Sequence, residues 1–206
     1  AGDLETARRN YEKAVQNSYD TASVRYRIGY IQYTNKNYLE ALGSFIKSSS
    51  EKYDDRNLLL SLGNTLSMRG DNFAAQGYYE RLIDMLDLER SRLGILMPQV
   101  RSDQGDLVDL YMKASNNLGV TLSRLAQKTG DSSLNAKAMV QLSESLRAWD
   151  ALTRNQETMI RLEGSNLASQ NIKYLTSPVS TFEPAIYSAI PRILHGEKML
   201  EQSFIK

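Results

Sequence analysis

A single histidine, His195, stands in a chain of 206 residues that contains no cysteine. Metal and nucleophile chemistry therefore start from very little. Zinc sites need several Cys or His ligands at short spacing, and Leu194-His195-Gly196-Glu197 matches no such spacing. A catalytic triad needs its His beside both a Ser and a carboxylate, which His195 alone does not establish. There is no Gly-rich phosphate loop, no G-x-G-x-x-G and no H-E-x-x-H, so hydrolase, kinase and dehydrogenase readings lack a starting point. Carboxylates are scattered among Lys and Arg on expected solvent faces. The residues point to a protein that is not an enzyme and uses no cofactor or metal.

Two tripeptides invite a functional reading and are better explained by turns. Gly130-Asp131-Ser132 resembles the nucleophile block of one esterase family, but the Asp that should precede the His by three residues is Arg192 here. Arg69-Gly70-Asp71 spells an integrin-binding tripeptide, yet it falls where a tight connection between helices is required.

Composition bounds the partners. Hydrophobic residues make up 41% of the chain and charged residues 24%, the balance of an ordinary folded protein. Twenty-five Lys and Arg face 24 Asp and Glu, a net charge of +1 without any like-charge block. A nucleic-acid partner is not expected, because phosphate neutralisation calls for a basic face. The longest apolar run, Leu93-Gly94-Ile95-Leu96-Met97, falls far short of the ~20 residues of a spanning helix, so membrane insertion is not expected either. The lack of cysteine leaves the compartment open and tilts it toward the periplasm or cell envelope over the cytoplasm. The start at Ala1-Gly2-Asp3, without Met, suggests a removed leader or a larger parent protein.

The elements that must position any binding residues are announced by an internal repeat. Gly29 and Gly63 lie 34 residues apart, each after an apolar residue, in Ile28-Gly29 and Leu62-Gly63. Ala7, Ala41 and Ala75 follow the same interval, as do Tyr11, Phe45 and Tyr79. Within each copy the apolar residues recur at helical spacing: Val24, Ile28 and Ile31 share one face, and Tyr38, Ala41, Leu42 and Phe45 share another. Each copy thus reads as a helical hairpin, with turns at Asn35-Lys36-Asn37 and Arg69-Gly70-Asp71, residues that tolerate left-handed backbone or cap a following helix. Gly inside a helix costs about 1 kcal/mol relative to Ala, so Gly29 and Gly63 are expected where the companion helix comes close, with Ala41 and Ala75 opposite.

This pattern resembles the tetratricopeptide repeat (TPR). Ile28-Gly29, Tyr38, Ala41 and Phe45 match one copy, and Leu62-Gly63, Ala75 and Tyr79 the next; the family's usual Trp is Arg25 and Leu59 here, and its closing Pro is absent from both. The resemblance implies an all-α fold, an α-solenoid of antiparallel helix pairs in a TPR-like right-handed superhelix. Residues 1–19 form a partial repeat, 22–55 a full one, 56–92 another with an insertion at 87–112, and 113–150 the last. The insertion is read as an extended second helix, a break at Met97-Pro98, and an early start to the next helix through Leu107, Leu110, Tyr111, Ala114 and Leu118. Leu134 to Trp149 is then a second helix, with about five extra turn residues if Ala136 takes the small-residue slot. Residues 151–206 are read as a divergent C-terminal helical pair plus a capping helix: breaks fall at Gly164-Ser165 and Pro178, and Glu183-Pro184 opens a further helix carrying Ile186, Tyr187 and Ile190, kinked or restarted at Pro191.

In a solenoid of this kind the first helix of each pair lines a concave groove. The family frame places Tyr26, Arg27, Tyr30 and Tyr33 there from one repeat, Asn57, Ser61 and Asn64 from the next, and Lys113, Asn116 and Asn117 from the third. Tyr offers contact area at low entropy cost, and Asn can meet a peptide's main chain with donor and acceptor together. The chaperone-tail clamp of some family members survives only at Lys113. The expected function is a scaffold or adaptor binding a protein or peptide in the groove, within a bacterial multi-protein assembly of the cell envelope. Two rivals are a small-ligand-binding protein whose groove closes into an apolar pocket, and a self-oligomerising scaffold that pairs through Phe182, Tyr187, Ile190 and Ile193 of the C-terminal helices.

Overall fold

The computed structural model describes residues 2–97, 99–162, 165–177 and 183–197. Helix is the regular structure throughout, and no strand occurs among the described residues. The chain forms two compact units, one of residues 1–70 with 189–206 and one of residues 71–188.

The first unit holds α1 (Gly2–Gln16), α2 (Ala22–Thr34), α3 (Tyr38–Ser49) and α4 (Arg56–Met68), each packed on the next. Local chemistry sets the ends. The Thr21 hydroxyl accepts from the Val24 N–H at 3.3 Å to cap α2, and Asp55 Oδ1 accepts from the Asn57 and Leu58 N–H groups at 2.9 and 3.0 Å to cap α4. In the Asn35-Lys36-Asn37 turn the left-handed residue is Lys36, at φ 62°, and neither asparagine takes that conformation. Gly70, at φ 83°, closes α4 as the turn reading expects.

The α2–α3 hairpin is built around the anticipated notch. Gly29, Ala41 and Phe45 are all buried, and a Cβ on Gly29 would lie only 2.7 Å from two ring carbons of Phe45. The absent side chain is what admits the ring, which also tilts against Tyr26 with centroids 5.3 Å apart. Ala7 and Tyr11 of the partial copy are half-buried.

The second unit holds α5 (Asn72–Arg92), α6 (Gly105–Thr129), α7 (Ser133–Arg154), α8 (Gln156–Arg161) and α9 (Leu167–Thr176). Helix α6 packs on α5, α7 and α9, and α7 packs on α8 and α9. Residues 87–112 span the end of a long α5, a short 3-10 turn at Ser102–Gln104 and the start of a long α6, in which Leu107, Leu110, Tyr111, Ala114 and Leu118 are buried. Pro98, Gly164, Pro178 and Phe182 lie outside the described residues, as does the part of the expected C-terminal capping region beyond residue 197.

Two expectations are corrected. Ala136 is exposed, and the small-residue slot belongs to Ala138: a Cβ on Gly119 would stand 2.7 Å from Leu142 Cγ and 3.1 Å from the Ala138 carbonyl oxygen. The connection after α6 is three residues, no longer than the one between α2 and α3, so the extra turn residues are absent. Helix α6 instead runs ten residues past Gly119 where α2 runs five past Gly29, and that added helix shifts the register. The expected helix at Glu183-Pro184 is absent, and residues 183–191 adopt no regular structure. Pro184 and Pro191 each remove an N–H and push the preceding residue out of helical conformation, and Ile186 and Ile190 are β-branched; the apolar spacing of Ile186, Tyr187 and Ile190 mimicked a helix without the backbone to make one.

Candidate functional site

Main-chain groups outside regular structure must find partners when buried. In residues 183–197 most of the described partners are side chains, and several are the residues that the sequence assigns to recognition.

In the second unit the partners sit on α6 and α9. Asn117 meets both polar groups of one residue: its Oδ1 accepts from the Tyr187 N–H at 2.7 Å and its Nδ2 donates to the Tyr187 carbonyl at 3.0 Å. Asn171 treats Ala185 in the same way, accepting from its N–H and donating to its carbonyl, both at 2.9 Å. Asn116 Nδ2 adds a donor to the Ala185 carbonyl at 3.1 Å, while its Oδ1 accepts from Asn171 at 2.8 Å. All three asparagines are fully buried. An amide side chain thus acts as a one-residue strand edge, offering the donor and acceptor that a neighbouring strand would.

Two further contacts fix the ends of this stretch. Arg124 donates to the Pro184 carbonyl at 3.2 Å, and burial holds its guanidinium below the usual value without threatening its charge. The Tyr187 hydroxyl donates to the Ser165 carbonyl at 3.0 Å and accepts from the Leu167 N–H at 3.1 Å, at the start of α9. The side chains of Ile186 and Tyr187 are buried, whereas Glu183 and Ser188 are exposed.

In the first unit the partners come from α2, α4 and the α4 cap. Tyr26 donates to the Pro191 carbonyl at 2.7 Å and also meets Ser61 Oγ at 2.9 Å. Ser61 in turn donates to the Asn57 carbonyl at 2.8 Å, and Asn57 Nδ2 donates to the Ile193 carbonyl at 3.0 Å. Desolvation pushes the buried Tyr26 phenol far above its ordinary value, so it remains a donor. Asp55 Oδ2 accepts the His195 N–H at 2.8 Å, and burial raises its carboxyl against the pull of its three N–H donors. Leu194 is buried beside these contacts, and Glu197 pairs with Arg27 at 3.7 Å and with the Ser23 hydroxyl.

Of the ten residues singled out from the sequence, Tyr26, Asn57, Asn116 and Asn117 hold main-chain groups of residues 185–193 directly. Arg27 pairs with Glu197, and Ser61 braces Tyr26. Tyr33 packs edge-on against Tyr38 with centroids 5.3 Å apart, Tyr30 is half-buried, Asn64 is fully buried within α4, and Lys113 pairs with Asp109 at 2.6 Å. Sequence reasoning missed Asp55, Arg124 and Asn171. Asp55 carries a cap signal, but nothing in the spacing distinguishes Arg124 or Asn171 from residues on a solvent face.

Elsewhere in the second unit, Glu80, Ile83, Asp84, Leu118, Leu122, Lys137, Val140 and Gln141 line an open cleft of about 230 Å³ among α5, α6 and α7. Among the described residues there is no group of three or more His, Cys, Asp or Glu arranged to hold a metal, and no helix long and apolar enough to cross a membrane. Of the proposed self-pairing residues, Tyr187 is buried within its unit, and Ile190 and Ile193 are half-buried. No protein-family model matches the chain, and no curated protein matches it significantly.

Proposed function

We propose that the chain is a TPR-type α-solenoid of right-handed superhelical form that works as a scaffold or adaptor, holding polypeptide by its main chain rather than transforming a substrate. The 34-residue recurrence, the packing of successive helices within each unit and the glycine notches at Gly29 and Gly119 support the fold half of this reading. The observation that carries the function is the pairing of the Asn117 amide with both the N–H and the C=O of Tyr187, a contact made to backbone and available to any residue except proline. Tyr26, Asn57 and Asn116 also reach main-chain groups, so four of the ten residues that the repeat frame suggests for recognition touch backbone, here the chain's own, which supports this reading. A bacterial cell-envelope assembly is the setting that we favour.

The test uses the full chain as bait, with and without the paired substitutions Asn57→Ala and Asn117→Ala, followed by purification of each captured protein and a binary affinity measurement. A partner that binds the variant at least about tenfold more weakly supports recognition through these amides, since each lost buried hydrogen bond is worth about 1 kcal/mol or more. A partner indifferent to both substitutions places recognition on other faces of the molecule.

A further inference from the structure

Residues 183–188 are held in an unusual way. Every hydrogen bond described between this stretch and α6 or α9 has at least one side-chain partner: Asn116, Asn117, Arg124 and Asn171 reach its backbone, and the Tyr187 hydroxyl reaches the α9 N-terminus. The helices keep their own backbone ladders, so the stretch can leave without unwinding either one. Once water enters, the three amides it uncovers regain partners.

The contacts divide into two kinds. Those to the N–H and C=O of Ala185 and Tyr187 would be made with any residue but proline that leaves the chain non-helical. Selectivity comes instead from the buried Ile186 side chain and from the Tyr187 ring, whose hydroxyl fits between the Ser165 carbonyl and the Leu167 N–H. Exposed Glu183 and Ser188 mark where the site stops reading side chains.

We infer that this α6–α9 site is a receptor for a non-helical polypeptide of the pattern small–apolar–Tyr, and that residues 183–188 are its tethered occupant, displaced by a partner segment of the same chemistry. The inference rests on the polypeptide-binding reading above and specifies its ligand and its regulation. A ligand tethered by a short chain acts at an effective concentration of roughly millimolar, so a free segment competes poorly until the tethered one is weakened.

The probe is a fluorescein-labelled peptide with the sequence of residues 181–190, titrated into the full-length wild-type chain and into full-length Tyr187→Ala and followed by anisotropy. Wild type binds weakly. Tyr187→Ala, whose own stretch has lost its anchor while the receptor amides remain, binds at least about tenfold more tightly. A peptide with Ala in place of its tyrosine fails to bind, and adding Asn117→Ala to the Tyr187→Ala chain weakens the peptide again by at least about tenfold. A helical, cooperatively folded Tyr187→Ala chain that binds no better than wild type overturns the inference, as does binding that survives Asn117→Ala.

Hydrogen exchange on wild type covers the case in which Tyr187→Ala does not fold. The Ala185 and Tyr187 amides are expected to exchange through local opening, at least about a hundredfold faster than the Leu118 and Leu122 amides of α6. Equal protection would make the stretch an inseparable part of the unit and end the proposal. A purified partner whose affinity ignores both Tyr187→Ala and Asn117→Ala removes this receptor while leaving the scaffold reading intact.

Discussion

The two units solve one problem differently. In the second, the irregular stretch is met by neutral amides that take donor and acceptor of the same residue together, deep among buried side chains. In the first, the described contacts to Pro191, Ile193 and His195 are single ones, from a phenol, an amide and a carboxylate already occupied in capping α4. The difference is one of commitment. An amide bound at both ends loses two partners at once if its residue leaves and must find water in their place. A helix cap keeps its other partners, so the stretch it holds is expected to come away more readily.

The strongest way to break this contrast is to remove both double-ended amides. Asn117→Ala with Asn171→Ala should destabilise the chain by about 2–5 kcal/mol, because buried N–H and C=O groups of Ala185 and Tyr187 lose partners at about 1–3 kcal/mol each. Urea denaturation checks the size, and an effect no larger than that of Asn57→Ala would erase the distinction. Next come the notches that each unit carries. Gly119→Ala should cost about 1–3 kcal/mol, since overpacking against Leu142 and the fixed Ala138 carbonyl outweighs the gain in helix propensity; Gly29→Ala should cost less, because its close contacts are all with one side chain, the Phe45 ring. Thermal melts of the two variants rank them.

Tyr26→Phe sharpens the first-unit side of the contrast. It removes the hydroxyl that serves Pro191 and Ser61 while keeping the ring against Phe45, and a loss of about 1 kcal/mol is expected by denaturation. The smallest effect concerns acid. Burial raises the Asp55 carboxyl, so the folded chain takes up this proton at a higher pH than the unfolded chain does. The contribution of Asp55 to stability therefore grows as pH falls through its raised value toward the ordinary carboxylate range. Compared with Asp55→Asn, which does not titrate, wild type should gain in urea midpoint between pH 7 and pH 4; a constant difference across that range would show that the three N–H donors offset burial.

Helix positions were readable because packing repeats. Gly29 with Phe45, the turn at Gly70 and the long helices flanking the insertion all follow from apolar spacing and turn residues, which are local signals. The slot opposite Gly119 lies at Ala138 and not at Ala136, because apolar spacing does not reveal that α6 runs ten residues past Gly119 before its three-residue turn. The stretch around Tyr187 was misread for a different reason. Its apolar residues are spaced as in a helix, and what decides against one is the cost of two prolines together with side chains more than fifty positions away in sequence. Asn116 and Asn117 are singled out by the repeat frame that the sequence suggests, whereas Asn171 has no place in that frame and only its contacts with Ala185 mark it.

Gly119 and Leu142 share one space, and neither identity makes sense without the other. A methyl group added at 119 would need shortening at 142, so Leu142→Ala is the change expected to rescue Gly119→Ala in part. Over evolutionary time such a couple should drift in step, and related chains, when compared, would reveal the α6–α7 contact through paired changes at these two positions before any single site stood out.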